Sequence, residues 1–289
     1  MSKEDFLLRL HIATGLGNHK KVQLYYRAKE TARWELTIED FSWLQNKKFQ
    51  ASWQAQTPYL LQRLKQTHQY VTIEDPRYPA SFRYLNDPPL CLFYKGDLEL
   101  LNRLAIGVVG ARQASRYSFE VLQKLIPALV EHQYVIVSGL AKGVDSWAHQ
   151  LAISAGGKTI AVVGTGLDIC YPKTSGNLQI ELSRQHLVLS EYCNGTPPQK
   201  FHFPQRNRLI AALSQGILVT EAKQRSGSLI TAQLALEYGK DVFAVPGSIL
   251  TGQSTGCHQL IQDGALCVES AQDIFDALRL ITGGVENFT

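Results

Sequence analysis

The sequence predicts an α/β fold, doubly wound around a mostly parallel sheet and preceded by a small all-helical segment. Three observations carry this reading. From residue 104 onward, short β-branched runs alternate with longer stretches of helical periodicity. Most of these runs are apolar on both faces, the pattern of strands buried between two helical layers. Residues 4–67 show helical spacing only, and they hold the whole basic excess of the chain.

Taken in order, Phe6, Leu7 and Leu10 recur at helical spacing, as do Val22, Leu24 and Tyr25, and then Leu60, Leu61 and Leu64. Between the first two groups lies Thr14-Gly15-Leu16-Gly17-Asn18. A Gly-x-Gly joining two helices presents backbone N–H groups to a phosphate in helix-hairpin-helix modules, and it also serves an ordinary turn. Residues 74–97 contain Pro76, Pro79, Pro88 and Pro89, so no helix interior fits there. The expectation for 68–103 is a linker ending in a short edge strand, Leu90–Tyr94, with a turn at Lys95-Gly96-Asp97. Six strands should follow, at Leu104–Val109, Tyr134–Val137, Thr159–Val163, Leu187–Leu189, Ile217–Thr220 and Val242–Val245. Helices are expected near 118–131, 144–155, 176–185, 205–214 and 229–239. The order β-α-β-α through six strands means a doubly wound sheet. A helix near 257–263, a short strand at 265–268 and a helix at 271–280 complete the chain. The division is thus 1–67 helical, 68–103 connecting, and 104–289 α/β.

With 45% apolar and 19% charged residues the chain is globular, not disordered. No apolar run reaches the ~18 residues of a membrane helix, and acids at Glu4 and Asp5 stand where a signal peptide wants bases. A cytoplasmic location without membrane contact is expected. Five cysteines without a Cys-x-x-Cys argue against a disulfide framework or a zinc knuckle. Residues 1–67 hold eleven Lys/Arg against six Asp/Glu, while residues 68–289 hold eighteen against nineteen.

In a doubly wound sheet, ligands bind beyond the carboxyl ends of the strands. Five loops at those ends hold nine cations: Arg112, Arg116, Lys142, Lys173, Lys200, Arg206, Arg208, Lys223 and Arg225. They hold two acids, Asp145 and Asp168. Glycines let an anion approach the backbone, and the following helix N-termini face it with partial positive charge. So many cations suit a polyanion longer than one dinucleotide, such as a nucleic-acid strand. Tyr171, Phe201, His202 and Phe203 are candidates for stacking a base, with core packing expected for either Phe.

Several motifs fail. The segment after the first strand, Gly107-Val108-Val109-Gly110-Ala111-Arg112, lacks the dinucleotide spacing, and no acid for a ribose follows the second strand. No Gly-x-x-x-x-Gly-Lys-[Ser/Thr] is present. Gly252-Gln253-Ser254-Thr255-Gly256 fits Gly-x-Ser-x-Gly, but loop residues separate it from the preceding strand. Asp145 and His149 share a helix face without a third metal ligand.

The loops in sequence are specific. Gly110-Ala111-Arg112 is followed by Ser138-Gly139-Leu140-Ala141-Lys142-Gly143-Val144-Asp145 with Ala148-His149. Then come Gly164-Thr165-Gly166-Leu167-Asp168 with Tyr171-Pro172-Lys173, and Phe203-Pro204 with Arg206-Asn207-Arg208. Glu221-Ala222, Ser226-Gly227-Ser228-Leu229-Ile230-Thr231 and Pro246-Gly247 close the series. This combination, over about residues 70–280, resembles the DNA processing protein A family, also called DprA or Smf, a group of bacterial recombination mediators. The resemblance implies an extended Rossmann-like core that binds and protects single-stranded DNA and helps load RecA recombinase during natural transformation. It implies no catalysis and no cofactor. Arg112 and Lys173 would contact phosphates. Motifs and rim together make Gly110, Arg112, Ser115, Arg116, Ser138, Gly139, Lys142, Gly164, Gly166, Lys173, Arg206, Asn207, Arg208, Ser226, Gly227 and Ser228 the expected DNA-binding set, with no metal ligand. The resemblance implies dimerisation through the C-terminal part, and the apolar stretch 255–280, with His258, Leu260 and Ile261, is the candidate homodimer or partner surface, with plain packing onto the sheet edge as the equal alternative. The helical segment resembles the sterile-alpha-motif-like (SAM-like) module of some members. Many members end in a winged helix, which is expected to be absent here because the chain stops at Thr289.

The alternative is a nucleotide-processing enzyme, such as a nucleoside-phosphate N-glycosidase, on a similar fold. It needs a carboxylate beside its phosphate loop, for which Glu191 or Glu221 would serve. Both are expected instead to accept hydrogen bonds from loop N–H groups.

Overall fold

The structure, a computed structural model, describes residues 1–282, with side chains through Leu278. Five helices open the chain: α1 (Lys3–Ile12), α2 (Asn18–Glu30), α3 (Ile38–Leu44), α4 (Lys47–Ala55) and α5 (Pro58–Thr67). Their boundaries follow from capping chemistry. Ser2 accepts from the Asp5 amide, Thr37 and Asp40 cap α3 reciprocally, Asn46 caps α4, and Thr57 with Pro58 starts α5.

The nine strands are β1 (Gln69–Thr72), β2 (Cys91–Gly96), β3 (Ala105–Val109), β4 (Val135–Ser138), β5 (Thr159–Val163), β6 (Leu187–Ser190), β7 (Gly216–Val219), β8 (Asp241–Ala244) and β9 (Leu266–Cys267). They form one sheet in the order β1-β2-β6-β5-β4-β3-β7-β8-β9. From β6 to β9 across the sheet all neighbours are parallel, and β2 runs antiparallel to both β1 and β6. The remaining helices are α6 (Ala80–Arg83), α7 (Arg116–Glu131), α8 (Val144–Ser154), α9 (Gly176–Gln185), α10 (His202–Leu213), α11 (Gly227–Glu237), α12 (Thr255–Gln262) and α13 (Ala271–Thr282). The chain steps outward from β3 to β6, then α10 carries it back to set β7 beside β3. That reversal opens a crevice beyond the carboxyl ends of β3 and β7.

The parallel strands sit within a residue or two of their expected places. Segment 68–103 differs. It supplies two strands instead of one, and β2 lies inside the sheet with β1 at the edge. The strand β1 has a mixed burial pattern and only four residues, so its alternation is too short to read.

Two cores cover the two faces. Ile106, Val108, Ile136, Leu218 and Phe243 point to one side, against α7, α8 and α13. Their neighbours Val109, Val137, Val219 and Ala244 point to the other, with α10 and α11. That second core runs without a break into the N-terminal helices through Phe6, Leu7, Leu10 and Phe93. The helical segment is therefore seated on the sheet rather than tethered to it.

Buried polar groups tie this seat together. His11 Nε2 donates to the Glu191 carbonyl at 2.7 Å, and Lys21 Nζ donates to the His11 carbonyl at 2.6 Å. His149, the core histidine of α8, bridges Thr159 Oγ1 and the Gly139 carbonyl. Both of its ring nitrogens are engaged, which is the structural role its sequence position left open. Burial pushes His11 down to about 3 and His149 to about 4. Both rings are neutral in the fold, whereas an unfolded histidine takes a proton near pH 6.5. The unfolded state therefore binds more protons between pH 6.5 and about 4, and stability falls as pH drops through that window. His149 alone should cost about 2 kcal/mol at pH 5 relative to neutral pH. Urea unfolding at pH 7 and pH 5 measures this; equal midpoints would contradict it.

Candidate nucleic-acid interface

The crevice is a groove of about 570 Å³, lined by the loops after β3, β4, β5, β6 and β7. After β3, Gly110 is forced by space: a Cβ there would lie 2.6 Å from Val144 Cγ2 and 3.1 Å from the Glu221 carbonyl. Its absence lets the loop fold onto the starts of α8 and β7's exit. Arg112 then projects outward, exposed, with its guanidinium 5.7 Å from the Phe203 ring centre. Ser115 caps α7, accepting from the Ser118 amide and donating to Glu221 Oε2 at 2.5 Å. Arg116 lies beyond the groove lining, its side chain 91% exposed and paired with Glu120 at 2.7 Å.

After β4, Ser138 is buried and donates to the Val108 carbonyl at 2.6 Å. Gly139 is buried against the Arg206 guanidinium and the Asp145 carboxylate, which leave no room for a Cβ. Gly143 has a φ of 75°, which only glycine adopts without strain, and the turn delivers an exposed Lys142. After β5, Gly164 packs beneath His202, whose Nδ1 donates to the Gly164 carbonyl at 2.9 Å. Gly166 is buried against Cys193 and Asp168. Lys173 is exposed. Thus Ser138, Gly139, Gly164 and Gly166 shape the loops from below and do not face solvent.

The helix α10 corrects two of the expected contacts. Arg206 is 7% exposed, and its Nη1 donates to the Val162 carbonyl at 2.9 Å. It lies in the groove floor beside Asp145. Burial holds Arg206 below the usual guanidinium range and Asp145 above the usual carboxylate range, each drawn back by the other. Arg208, 9% exposed, points the opposite way and pairs with Glu191 at 2.6 Å. On a helix, positions two apart face opposite sides, so only one of this arginine pair reaches the groove. Asn207 lines the groove, its Nδ2 donating to the Gly227 carbonyl at 3.3 Å.

After β7, Lys223 and Arg225 are exposed. Ser226, Gly227 and Ser228 line the groove at the start of α11. The Ser226 hydroxyl contacts the Ser228 hydroxyl at 2.8 Å and caps no amide; the Leu229 amide donates to the Ser226 carbonyl at 3.2 Å, which leaves the Gly227 and Ser228 amides of the first turn without a capping side chain, a place an anion can take. Nothing lies within 4 Å of a Cβ at Gly227.

Six of the nine expected rim cations lie open on the crest loops. Arg112, Lys142, Lys173, Lys200, Lys223 and Arg225 are exposed and make no ion pair among the described residues. Of these, Arg112 and Lys200 line the groove itself. The aromatic expectation needs correcting. Phe201 is 60% exposed, and Phe203 lines the groove with its ring centre 5.4 Å from that of Tyr171. The apolar alternation around His202 suggested core packing for both, but His202 takes the inward place and stacks on Tyr192 at 3.9 Å. Arg206 and Asp145 as a buried charged floor were not foreseen; their i, i+61 separation gives no local signal.

Neither candidate carboxylate reaches the groove. Glu221, 1% exposed, accepts from both the amide and the hydroxyl of Ser115, and Glu191 is held by Arg208. Ser254 of the Gly-x-Ser-x-Gly match is 3% exposed and packs against Gly247.

The C-terminal surface is only half open. His258 Nε2 donates to the Gly247 carbonyl at 2.9 Å, and Leu260 and Ile261 pack partly against the core. The strand β9 beside them is the free edge of the sheet, with Leu266 43% exposed. No helix among the described residues is long and apolar enough to cross a membrane.

Comparison with known proteins gives a consistent result. A family model described as DNA recombination-mediator protein A matches residues 69–279. The DNA processing protein DprA of Streptococcus pneumoniae is 55% identical over 203 residues, covering 70% of this chain and 72% of that protein. The Bacillus subtilis DprA is 44% identical over 209 residues, 72% of this chain and 70% of that one. The solved structure of the S. pneumoniae protein superposes with a TM-score of 0.87 at 44% identity, over 94% of this chain and 97% of the other. A Helicobacter pylori DNA processing protein A, whose structure is described by its single-stranded DNA binding mode, superposes with a TM-score of 0.66 at 34% identity, over 73% and 96% of the two chains.

Proposed function

The chain belongs to the DNA recombination-mediator protein A family, and from that premise we propose that it binds and protects single-stranded DNA along the crest of its sheet and helps load RecA recombinase onto the strand, without catalysing a reaction. One observation carries the binding step: six exposed cations, unpaired among the described residues, stand on the crest loops that form a groove lined in part by Gly110, Gly227, Tyr171 and Phe203. Cations and helix N-termini hold phosphates without reading sequence, and an aromatic face stacks any base. The description of the H. pylori relative points the same way.

Natural transformation in the cytoplasm is the setting this reading implies. Homodimerisation through the C-terminal part places His258, Leu260 and Ile261 beside the free edge β9, and light scattering on the intact chain tests it. RecA loading is tested by whether the protein speeds RecA assembly on a coated single strand.

The defining experiment is fluorescence anisotropy with labelled oligothymidine over a salt series. Each phosphate engaged lowers the slope of log affinity against log salt by about 0.7 for a single strand, so a slope of roughly −3 to −4 is expected from five contacts. A salt-independent affinity would remove the crest as a phosphate site.

A further inference from the structure

The basic excess of residues 1–67 is not spread evenly. Lys3 and Lys29 pair with Glu74, Arg27 with Asp40, and Lys65 with Glu4 and Asp5. Lys20, Lys47 and Lys48 are exposed and make no ion pair among the described residues. Lys20 lies in the first turn of α2, and Lys47 and Lys48 in the first turn of α4. Those first turns hold no acid, whereas α1 and α3 carry acids there, as the helix dipole favours. Cations in that place cost stability, and an anion between them would remove the cost.

The two helix starts are held side by side. Asn46 Nδ2 donates to the Gly15 carbonyl at 2.7 Å, and a Cβ on Gly15 would come within 2.8 Å of the Phe49 amide nitrogen. Gly15 also has a φ of 89°, so glycine is required twice over. Gly17 precedes α2 with no side-chain cap and open space around it.

This surface sits at the crest end of the sheet. His11, just before the hairpin, reaches the Glu191 carbonyl beyond β6. Asn18, just after it, reaches the Asp87 carboxylate and the Pro88 carbonyl ahead of β2. The loop that follows Glu191 carries Lys200 to the groove. Asp87, the acid that touches the hairpin, is already engaged by Asn18.

We propose that the α1–α2 hairpin with the start of α4 is a second phosphate-binding surface, which takes the backbone of the DNA strand as it leaves the crest groove. It deepens the single-strand reading above and rests on it. Its ligand is the phosphodiester chain, with no base readout.

The test compares the intact wild-type chain with a Lys20→Ala/Lys47→Ala/Lys48→Ala variant on oligothymidines of about 6 and about 30 nucleotides. On the short strand the variant should bind within about twofold of wild type. On the long strand it should bind roughly tenfold more weakly, with a salt slope shallower by about 2. Its thermal midpoint should equal or slightly exceed that of wild type, because the three side chains are exposed and their unfavourable charge at the helix starts is removed. Unchanged affinity and slope on the long strand would overturn the inference, and so would equal losses on both lengths. If wild type bound neither strand, the crest reading itself would have failed; Arg112→Ala, expected to weaken both lengths, tells the two failures apart.

Discussion

Oligothymidine should bind the Arg112→Ala/Lys173→Ala variant on the order of a hundredfold more weakly than the wild-type chain, each substitution contributing roughly tenfold. Both side chains are exposed and neither forms an ion pair among the described residues, so no folded-state partner is orphaned by their loss. Arg112 gives up its position over the Phe203 ring, a contact at 5.7 Å that is weak at an exposed site. The two residues stand on separate loops, after β3 and after β5, and share no partner, so their effects should add. Two fewer phosphate contacts should also flatten the salt slope by about 1.4. Arg116→Ala is the matched comparison, because Arg116 is equally solvent-facing but already faces Glu120 and stands outside the groove. Anisotropy over a salt series measures both variants against wild type. If the double variant bound as tightly as wild type, the crest would have to be abandoned as the DNA surface.

The parallel sheet was legible because each strand is buried on both faces, which leaves an unbroken apolar run flanked by loop residues. The same logic failed for β1, whose outer position mixes exposed and buried residues over four positions. The crest was legible as a composition, cations and glycines at strand ends, but composition does not assign direction. Arg206, Arg208 and Lys200 look alike in the sequence. Their fates divide by the turn of α10: Arg206 goes under the groove, Arg208 under the opposite side, and Lys200, ahead of the helix, stays at the rim. A buried arginine is betrayed by the carboxylate beside it, and Asp145 in α8 and Glu191 after β6 stand too far along the chain from Arg206 and Arg208 to give a local signal. The glycines were read as openings for a ligand. Gly139 and Gly166 are instead spaces already filled by this chain's own side chains and carbonyls, whereas Gly227 keeps open space.

Truncating Arg208 to alanine should lower the unfolding free energy by about 3–5 kcal/mol, because it strands the buried Glu191 carboxylate without its partner. The pair is close, at 2.6 Å, and both side chains are about nine-tenths covered. Glu191→Ala should cost a similar amount by stranding the guanidinium. Replacing both together with leucine and methionine should cost far less than either alanine variant, since no charge is then left buried and the volume is largely kept. This pattern separates a structural arginine from a DNA ligand. A phosphate-binding Arg208 would leave stability nearly unchanged on truncation and would show its loss in oligothymidine affinity. Urea unfolding of the three variants decides between these outcomes. The consequence reaches further than the pair. The Glu191 carbonyl receives His11 from α1, and the loop that follows carries Lys200 to the groove. Loosening Glu191 therefore loosens the contact by which the N-terminal helices and the crest share one frame. Affinity for a long strand should fall in the Arg208→Ala variant only under conditions where the fold itself has begun to open.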